Sequence, residues 1–238
     1  MMNNLNSAII FSSIFTVIMV STAPATSLAE QPRPNEIEFF IPPLDDGSQN
    51  PDPFLASGVS IGKNVATYYT AGTGPAGGNN PGTEFPDPEF FVDPEVIEGF
   101  AGGEELPADI TVTEAQGLNV VNRIKADLEE NGLSLEDVIF LRIYLEAPEG
   151  ADRADYAGWN RAYRRYFANV DRDTGQPIDD YDPIVVNETR PARSNIEVAT
   201  LPVEGWLVEI EAVAAYAQEG DTRPRGQGNP QGHGGGGR

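Results

Sequence analysis

Two stretches of the chain repeat apolar residues at the spacing of an amphipathic helix. The first runs from about 113 to 132, and its apolar positions recur every three or four residues. They are Leu118, Val121, Ile124 and Leu128. Thr113 and Gln116 are spaced as a capping box at its start, and Gly132 ends it. A second helix is predicted over 155–168, where aromatic side chains line one side and are expected to face a sheet. They are Tyr156, Trp159, Tyr163 and Phe167.

Short runs of β-branched, aromatic and other apolar residues predict the strands. These runs lie at 37–41, 65–71, 138–145, 184–186, 196–201 and 206–216. The run 138–145 is almost wholly apolar and is therefore expected at the centre of the sheet. The runs 196–201 and 206–216 are expected to pair with each other through a turn at 202–205. The order of the elements predicts a single α+β domain, in which a mixed β-sheet carries two helices packed on one face.

Residues 76–110 contain no clear helix or strand pattern and are interpreted as an insertion in this domain. A connection of this length usually has a role of its own or moves as a lid. Its aromatic residues predict that it packs on the rest of the protein. They are Phe85, Phe90, Phe91 and Phe100.

The first 29 residues carry no charged side chain, and Ala8–Val20 form an apolar run within them. That run is shorter than the roughly 20 residues of a membrane-spanning helix. Residues 1–29 are therefore predicted to be a cleaved secretory signal peptide, with an uncleaved anchor as the alternative. Cleavage leaves a domain at 30–218 and a Gly-rich tail at 219–238 that is expected to be disordered. The mature protein is expected to be periplasmic or secreted, with no membrane contact.

Charge and composition exclude several classes of function. The chain has 37 acidic and 15 basic residues, so nucleic acid is not an expected partner. It has no Cys, which excludes disulfides, thiolate nucleophiles and thiolate metal sites. Its one His, His233, lies in the Gly-rich tail and cannot serve a catalytic triad. The acidic stretch Asp171–Asp182 has the oxygen density of a calcium loop, but its glycine does not have the spacing of an EF-hand. No metal and no cofactor are expected.

Several motifs, in their order and spacing, carry a resemblance to a known family. They are PARS at 191–194, EVATLP at 197–202, VEIEAVA at 208–214, DYxxxNxxYxxYF at 155–167, a helix led by Gln116 and a turn at Thr70-Ala71-Gly72. With these motifs the chain resembles the Rid (YjgF) family of enamine/imine deaminases, over roughly 53–75 and 112–217.

The resemblance implies a fold, an assembly and a site. It implies the chorismate-mutase-like Rid fold and a homotrimer with clefts between the subunits. In such a cleft Arg193 would hold the substrate carboxylate, Glu209 would lie near the attacking water, and Asn160 of the second helix would contribute to binding. Without the resemblance, Arg193 would be read as a surface ion pair. Glu209 and Glu211 would be read as a solvated strand face, and Asn160 as a helix-surface amide.

Three positions depart from the family pattern. The turn has Ala71 before Gly72 where many members have Ser, Phe54 stands where an aromatic near the entrance is often Tyr, and Asn195 stands where many members have Cys. The carboxylate anchor and the glutamate remain, so these changes bear on substrate range and rate more than on the class of reaction.

The expected function is that of an exported hydrolase that deaminates reactive 2-imino or enamine acids to 2-keto acids and ammonia. Its partner would be a small carboxylate-bearing substrate, bound by the planar fork of Arg193. A non-catalytic protein that binds a small carboxylate in the same cleft is the alternative, and a family member recruited for protein contacts through its acidic surface is a third. Arg190, three residues before Arg193 and outside the motif, is expected to be dispensable.

Export predicts a processed chain. Mass spectrometry of the protein purified from its native host should find a mature N-terminus near Glu30, directly after the small residues Ser27 and Ala29. A full-length species in the cytosolic fraction would contradict the predicted localisation.

Overall fold

The computed structural model describes residues 31–97 and 106–216. The strands are β1 (Ile37–Phe40), β2 (Gly58–Ile61), β3 (Thr67–Tyr69), β4 (Val138–Leu145), β5 (Ala192–Glu197) and β6 (Val208–Ala215), and the α-helices are α1 (Val112–Glu130) and α2 (Tyr156–Arg164). Short 3₁₀ helices lie at Pro88–Phe91, Leu135–Asp137 and Asp179–Tyr181. The predicted signal peptide and the Gly-rich tail lie outside the described residues. In the part that is described, neither α-helix has the length and apolar character needed to cross a membrane.

The main sheet has the order β3-β6-β4-β5, in which β4 and β5 are parallel and the other neighbours are antiparallel. Along β4 and β6 every second residue is buried, as expected for a sheet with one face in the core. Leu141 and Ile210 point to this buried face, where they join Leu118 of α1 and Trp159 of α2 in one apolar core. The prediction of an α+β fold, with a mixed sheet and both helices on one face, is confirmed.

The expected pairing of the last two strands is wrong. β5 begins at Ala192 and not at 196, and it pairs with β4, which separates it from β6. Glu197, the last residue of β5, is in register with Leu145, the last residue of β4. Because β4 ends there, the chain beyond Glu197 has no strand to continue along. Residues 198–207 instead pass the end of β4, and the chain returns as β6 on the other side of that strand.

The segment after the first turns of α2 also differs from the prediction. α2 ends at Arg164 instead of 168, and Ala168 has a left-handed φ of 55° that ends helical geometry. The predicted strand 184–186 is not a strand. The N–H groups of Ile184 and Val185 both donate to the carbonyl of Arg165, at 2.8 and 3.1 Å, so neither is available for a sheet.

α1 begins earlier than predicted, and the predicted capping box is wrong. The N-cap is Thr111, whose Oγ1 accepts a hydrogen bond from the backbone N–H of Glu114 at 3.2 Å. Gln116 is fully buried, and its amide group connects separate segments of the chain. Its Nε2 donates to the carbonyls of Pro88 (2.9 Å) and Gly205 (2.8 Å), and its Oε1 accepts from the N–H of Leu207 (2.7 Å). Gln116 therefore has a structural role, because replacing it would leave these buried backbone groups without partners.

The first turns of the two helices are joined to each other. Thr111 Oγ1 donates to Oδ2 of Asp155 at 2.6 Å, and the other oxygen of Asp155 caps α2. The helices also approach closely at Gly117, where a Cβ would lie 3.0 Å from the Cβ of Ala162. Glycine at this position therefore sets the distance between α1 and α2, and with it the position of α2 on the sheet.

The other face of the sheet is only partly covered. The hairpin of β1 and β2 packs there, with Ile37 against Ile139 and Ala215. Tyr69 and Ile196 on this sheet remain 68% and 39% exposed. Burial of this apolar surface would be favourable, so the face is suited to contact with another chain.

The described part of the segment 76–110 packs on α1 and on the connection before β6. The Phe91 ring is buried and meets the Trp206 ring edge-on, with centroids 6.3 Å apart. Asn119 of α1 donates from Nδ2 to the carbonyl of Phe91 at 2.9 Å. The expected packing of the phenylalanines holds for Phe91, whereas Phe85 is 57% exposed and Phe100 lies outside the described residues.

The expectation that Arg190 is dispensable is wrong. The residue is only 3% exposed, and its guanidinium donates to backbone carbonyls from different parts of the chain. The acceptors are Pro53 (2.8 Å), Glu188 (2.6 Å) and Val170 (2.5 Å). Burial, together with the neighbouring charge of Arg164, lowers the pKa of Arg190 to about 10. Arg190 therefore connects separate loops, and each of its three guanidinium nitrogens donates to one of these carbonyls.

Replacing Arg190 is expected to destabilise the fold. Arg190→Ala removes three charge-assisted hydrogen bonds and leaves buried carbonyls unpaired. The free energy of unfolding should fall by about 3 kcal/mol or more. Chemical denaturation of the variant beside Arg153→Ala measures this, because Arg153 is exposed and contacts only the ring of Tyr156 in the described residues. Equal stability of the two variants would contradict the structural role.

Candidate functional site

Arg193 is the second residue of β5, and its side chain lies on the helix-covered face of the sheet. In the register of the parallel pair it is level with Leu141, which is buried under the helices. Its Nη2 donates to Oδ1 of Asn160 on α2 at 2.7 Å. Its guanidinium carbon lies 4.4 Å from the ring centroid of Phe54 and 4.3 Å from that of Tyr163. The arginine is thus held by one amide and two aromatic rings.

This cation has no counter-charge among the described residues. No carboxylate of that part of the chain lies within 4.0 Å of the Arg193 guanidinium, and its Nη1 is buried with no hydrogen-bond partner there. Burial lowers the pKa of Arg193 to about 10, and the nearby positive charge of Arg164 is a smaller contribution to that lowering. The group stays charged at neutral pH. A desolvated guanidinium with a free donor favours an anion, above all a planar carboxylate.

Glu209 lies on β6 and faces the opposite side of the sheet. It is in register with Tyr144 of β4, on the face that carries no helix. Its carboxylate lies against the backbone of Gly72, where a Cβ would come within 1.9 Å of Oε1. A Cβ at 72 would displace the end of the flexible Glu209 side chain, and Ala71 precedes Gly72 in the same exposed segment. Burial, and then the charge of Glu211, raise the pKa of Glu209.

Within one chain the two groups do not meet. Arg193 and Glu209 lie on opposite faces of the sheet, and β4 runs between their strands. The expectation that Glu209 lies on the strand next to Arg193 is therefore wrong. The two strands are separated by two strand spacings, about 10 Å. One chain thus carries two separate groups of residues: Arg193 with Asn160 and Phe54, and Glu209 with Gly72 and Ala71.

Two other predicted positions have defined surroundings. Asn195 shares the helix-covered face with Arg193, but its Oδ1 accepts a hydrogen bond from Nε1 of Trp159 at 3.2 Å. Its amide oxygen is therefore directed to α2. Glu211 forms an ion pair with Arg142 at 2.7 Å on the open face. This pair accounts for Glu211 without a role in the site.

The acidic stretch 171–182 forms a turn. Oδ1 of Asp171 accepts from the N–H of Asp173 at 3.0 Å, and from the N–H and Oγ1 of Thr174 at 2.8 and 2.9 Å. These bonds lower the pKa of Asp171. Over residues 31–97 and 106–216 no group of three or more His, Cys, Asp or Glu side chains is arranged to hold a metal ion.

Arg164 is a residue of this region that the sequence patterns did not single out. It is 6% exposed, and its guanidinium carbon lies 4.3 Å from the centroid of the Phe54 ring. It pairs with Asp52 at 2.7 Å, and the hydroxyl of Tyr181 donates to the other oxygen of Asp52 at 2.5 Å. One signal was available: Arg164 follows Asn160 by four positions, so the two share a side of α2.

A cavity of about 610 Å³ lies beside this group. Its wall includes Phe54, Asn160 and Arg164, and on the other side Ile97 and Ile110 from the segment 76–110. The charges in its wall are largely matched, since Arg161 pairs with Glu114 and Arg165 with Asp182.

Comparisons with known proteins agree on one family. The family model described as Endoribonuclease L-PSP matches residues 103–216. The chain is 34% identical over 123 residues to a RutC family protein from Pyrococcus abyssi, a match that covers 52% of this chain and 70% of that protein. It is 31% identical over 110 residues to the 2-iminobutanoate/2-iminopropanoate deaminase of Escherichia coli, covering 46% of this chain and 66% of that enzyme.

Among solved structures, YyfB of Yersinia pestis, a protein of unknown function in the conserved Rid family, is 21% identical. The match covers 76% of this chain and 98% of that one, with a TM-score of 0.42. The family assignment rests on the sequence matches. The match to the RutC family protein from Pyrococcus abyssi spans more than two thirds of that relative. The chain therefore belongs to the RutC family, the Rid (YjgF) family that the motifs around Asn160, Arg193 and Glu209 indicated.

Proposed function

We propose that this protein is a hydrolase that deaminates 2-imino acids, and their enamine tautomers, to 2-keto acids and ammonia. The observation that carries the proposal is the buried guanidinium of Arg193, which has a free donor and no counter-charge among the described residues. A substrate carboxylate would supply that charge and accept two parallel hydrogen bonds from the planar fork. The similarity to a relative named 2-iminobutanoate/2-iminopropanoate deaminase supports the same class of substrate.

The proposed reaction depends more on the positioning of substrate and water than on strongly acidic or basic catalytic groups. A water adds its oxygen to the electrophilic C=N carbon, one proton passes to the nitrogen, and a tetrahedral carbinolamine forms. Loss of ammonia from this intermediate, with transfer of the hydroxyl proton, leaves the keto acid. Glu209 is suited to hold the water and to move the proton, because its carboxylate is a proton acceptor and burial raises its pKa above that of an ordinary glutamate. Arg193 fixes the carbon at a set distance from that water.

The proposed reaction needs a second copy of the chain. Arg193 lies on the edge strand β5, whereas Glu209 and Gly72 lie on the open face near β3. A head-to-tail contact would bring the Arg193 group of one chain to the Glu209 group of the next, and such contacts close into rings. We propose a homotrimer with three such clefts. The exposed apolar residues of the open face support its burial in the assembly.

A second candidate is a non-catalytic protein that binds a small carboxylate in the same cleft. Ala71 and Phe54 bring no hydroxyl to the site, and the amide oxygen of Asn195 is engaged by Trp159. These features remove groups that would assist proton transfer, but they leave the carboxylate anchor in place. The description Endoribonuclease L-PSP points to RNA, but a net charge of −22 opposes binding of a polyanion.

Both candidates would act outside the cytoplasm. The uncharged, apolar first 29 residues support export, and the periplasm or the exterior is the proposed location. The acidic surface repels anions at long range, so a small carboxylate would be held by the local cation Arg193 and not by the net field.

Removal of the carboxylate anchor should abolish most activity. With imino acids generated in situ by an amino-acid oxidase, the mature protein should accelerate the release of keto acid. Arg193→Ala should lower kcat/KM about a hundredfold or more, because each lost charge-assisted hydrogen bond is worth about 1.5–3 kcal/mol. Arg193→Lys should also lose most activity, since a point charge does not replace a planar fork.

Arg153→Ala is the matched control, because Arg153 is exposed and its one recorded side-chain interaction among the described residues is with the ring of Tyr156, outside both groups of site residues. All variants are compared only when light scattering gives the wild-type mass, which is expected to be three times that of the monomer. Full activity in Arg193→Ala, or a wild-type monomer, would refute the site. Binding of a keto acid without hydrolysis would select the second candidate.

The role of Glu209 predicts a pH dependence. If its carboxylate activates the water, kcat/KM should rise with pH as Glu209 ionises, at a pH above the ordinary glutamate pKa of about 4.3. Glu211→Gln should shift this rise to lower pH, because the charge of Glu211 helps to raise the pKa of Glu209. Glu209→Gln should remove the rise altogether. A pH profile that is the same in Glu209→Gln and wild type would exclude Glu209 as the activating group.

A further inference from the structure

The ring of Phe54 is shared by two arginines. The guanidinium carbon of Arg193 lies 4.4 Å from its centroid, and that of Arg164 lies 4.3 Å from it. Both are at distances at which a cation is attracted by the face of an aromatic ring. Phe54 is itself stacked on Tyr163, with centroids 5.3 Å apart, and its carbonyl accepts a hydrogen bond from the Tyr163 hydroxyl at 3.1 Å. The ring therefore contacts Tyr163 and Arg164 of α2 and Arg193 of β5.

Arg164 is the more firmly held of the two arginines. Its Nη1 donates to Asp52 at 2.7 Å and also to the carbonyl of Ala168. Its guanidinium carbon lies 4.5 Å from the centroid of the Tyr181 ring, and the Tyr181 hydroxyl is bonded to Asp52. Arg193, by contrast, has a single hydrogen bond among the described residues, the one to Asn160. Apart from this hydrogen bond, the contacts that can orient the Arg193 guanidinium are those with the rings of Phe54 and Tyr163.

A second charge near Arg193 also has an electrostatic effect. Two guanidiniums against one ring repel each other, and one carboxylate, Asp52, balances only the charge of Arg164. A bound anion at Arg193 would relieve this repulsion. This effect of charge does not require the ring, so it is the alternative that the experiment must separate from orientation of Arg193 through Phe54.

We propose that Arg164 is a positioning residue for Arg193, acting through the Phe54 ring to orient the guanidinium that binds the substrate carboxylate. The inference rests on the proposed function only in that Arg193 binds a carboxylate, and it does not require catalysis. It predicts that the two arginines are coupled for ligand binding, and that the coupling depends on the ring.

Calorimetric binding of 2-oxobutanoate, a keto acid product of the proposed reaction, to the full-length protein tests this. Arg164→Met should weaken binding about tenfold. Arg161→Met is the matched control, because Arg161 lies one turn earlier on α2, pairs with Glu114, and has no cation–ring contact with Phe54 among the described residues. It should bind as the wild type does. In a Phe54→Leu background, Arg164→Met should change the Kd by less than about twofold.

Several outcomes would overturn the inference. One is wild-type affinity in Arg164→Met. Another is an equal loss of affinity with and without the Phe54 ring, which would indicate an effect of long-range charge or a general loss of structure. Should Arg164→Met fail to fold, Arg164→Lys keeps a charge beside Asp52 but loses the planar stack, and it should also weaken binding. Wild-type affinity in Arg164→Lys would overturn the positioning role. A wild type that binds 2-oxobutanoate but hydrolyses no imino acid would refute the hydrolase proposal alone, and one that binds none would refute both.

Discussion

The burial of the aromatic side of α2 against the sheet is the interaction on which the candidate site depends. Trp159 and Tyr163 of α2, and Phe167 just beyond its end, are each at most 1% exposed, and burial of each such side chain contributes about 1.5–3 kcal/mol. This packing fixes the rotation of α2 about its axis. It therefore decides that Asn160 faces Arg193 and that Arg164 faces Phe54. The small residue Gly117 lets α1 approach closely enough to hold α2 in that position.

The same packing explains how a protein with a net charge of −22 maintains a cationic site. Arg164, Arg190 and Arg193 lie near one another, and the charge of Arg164 lowers the pKa of both others. Each arginine is stabilised in a different way: Arg164 by a carboxylate, Arg190 by backbone carbonyls, and Arg193 by aromatic rings and an amide. Only the last arrangement leaves a guanidinium ready for an external anion. Arg193, the proposed anion-binding cation, thus differs from the other two in having no carboxylate or backbone carbonyl as a hydrogen-bond partner among the described residues.

Because Arg193 and Glu209 lie on opposite faces of the sheet, the proposed site depends on contact between chains. In the proposed assembly neither group of residues is complete in one chain, so binding of a carboxylate and activation of a water would be linked to assembly. Substitutions on the open face of the sheet, far from Arg193, would then change the proposed activity through the contact between chains. The hairpin of β1 and β2 covers part of that face, so it bears on where a second chain can pack.

Several elements of this fold depend on local sequence patterns and can therefore be predicted from the sequence. β4 was predicted with its observed bounds, because an apolar run interrupted only by Arg142 favours a central strand. The apolar stripe of α1, the aromatic side of α2 and the motifs around Arg193 were also sufficient to indicate the family. These features depend on periodicity and on residue type, which a single chain displays directly.

Pairings and caps were decided only by the tertiary structure. The apolar residues after Glu197 have strand character, but β4 ends at Leu145 and offers them no partner. Gln116 has the spacing of a capping residue, yet its amide is drawn into the core, where three backbone groups need partners. Arg190 was expected to be dispensable and Arg164 was not singled out by the sequence. Each is buried because loops distant in sequence supply its hydrogen-bond acceptors. Contacts between residues far apart in the chain, which no local pattern records, are what separate these buried arginines from solvated ones.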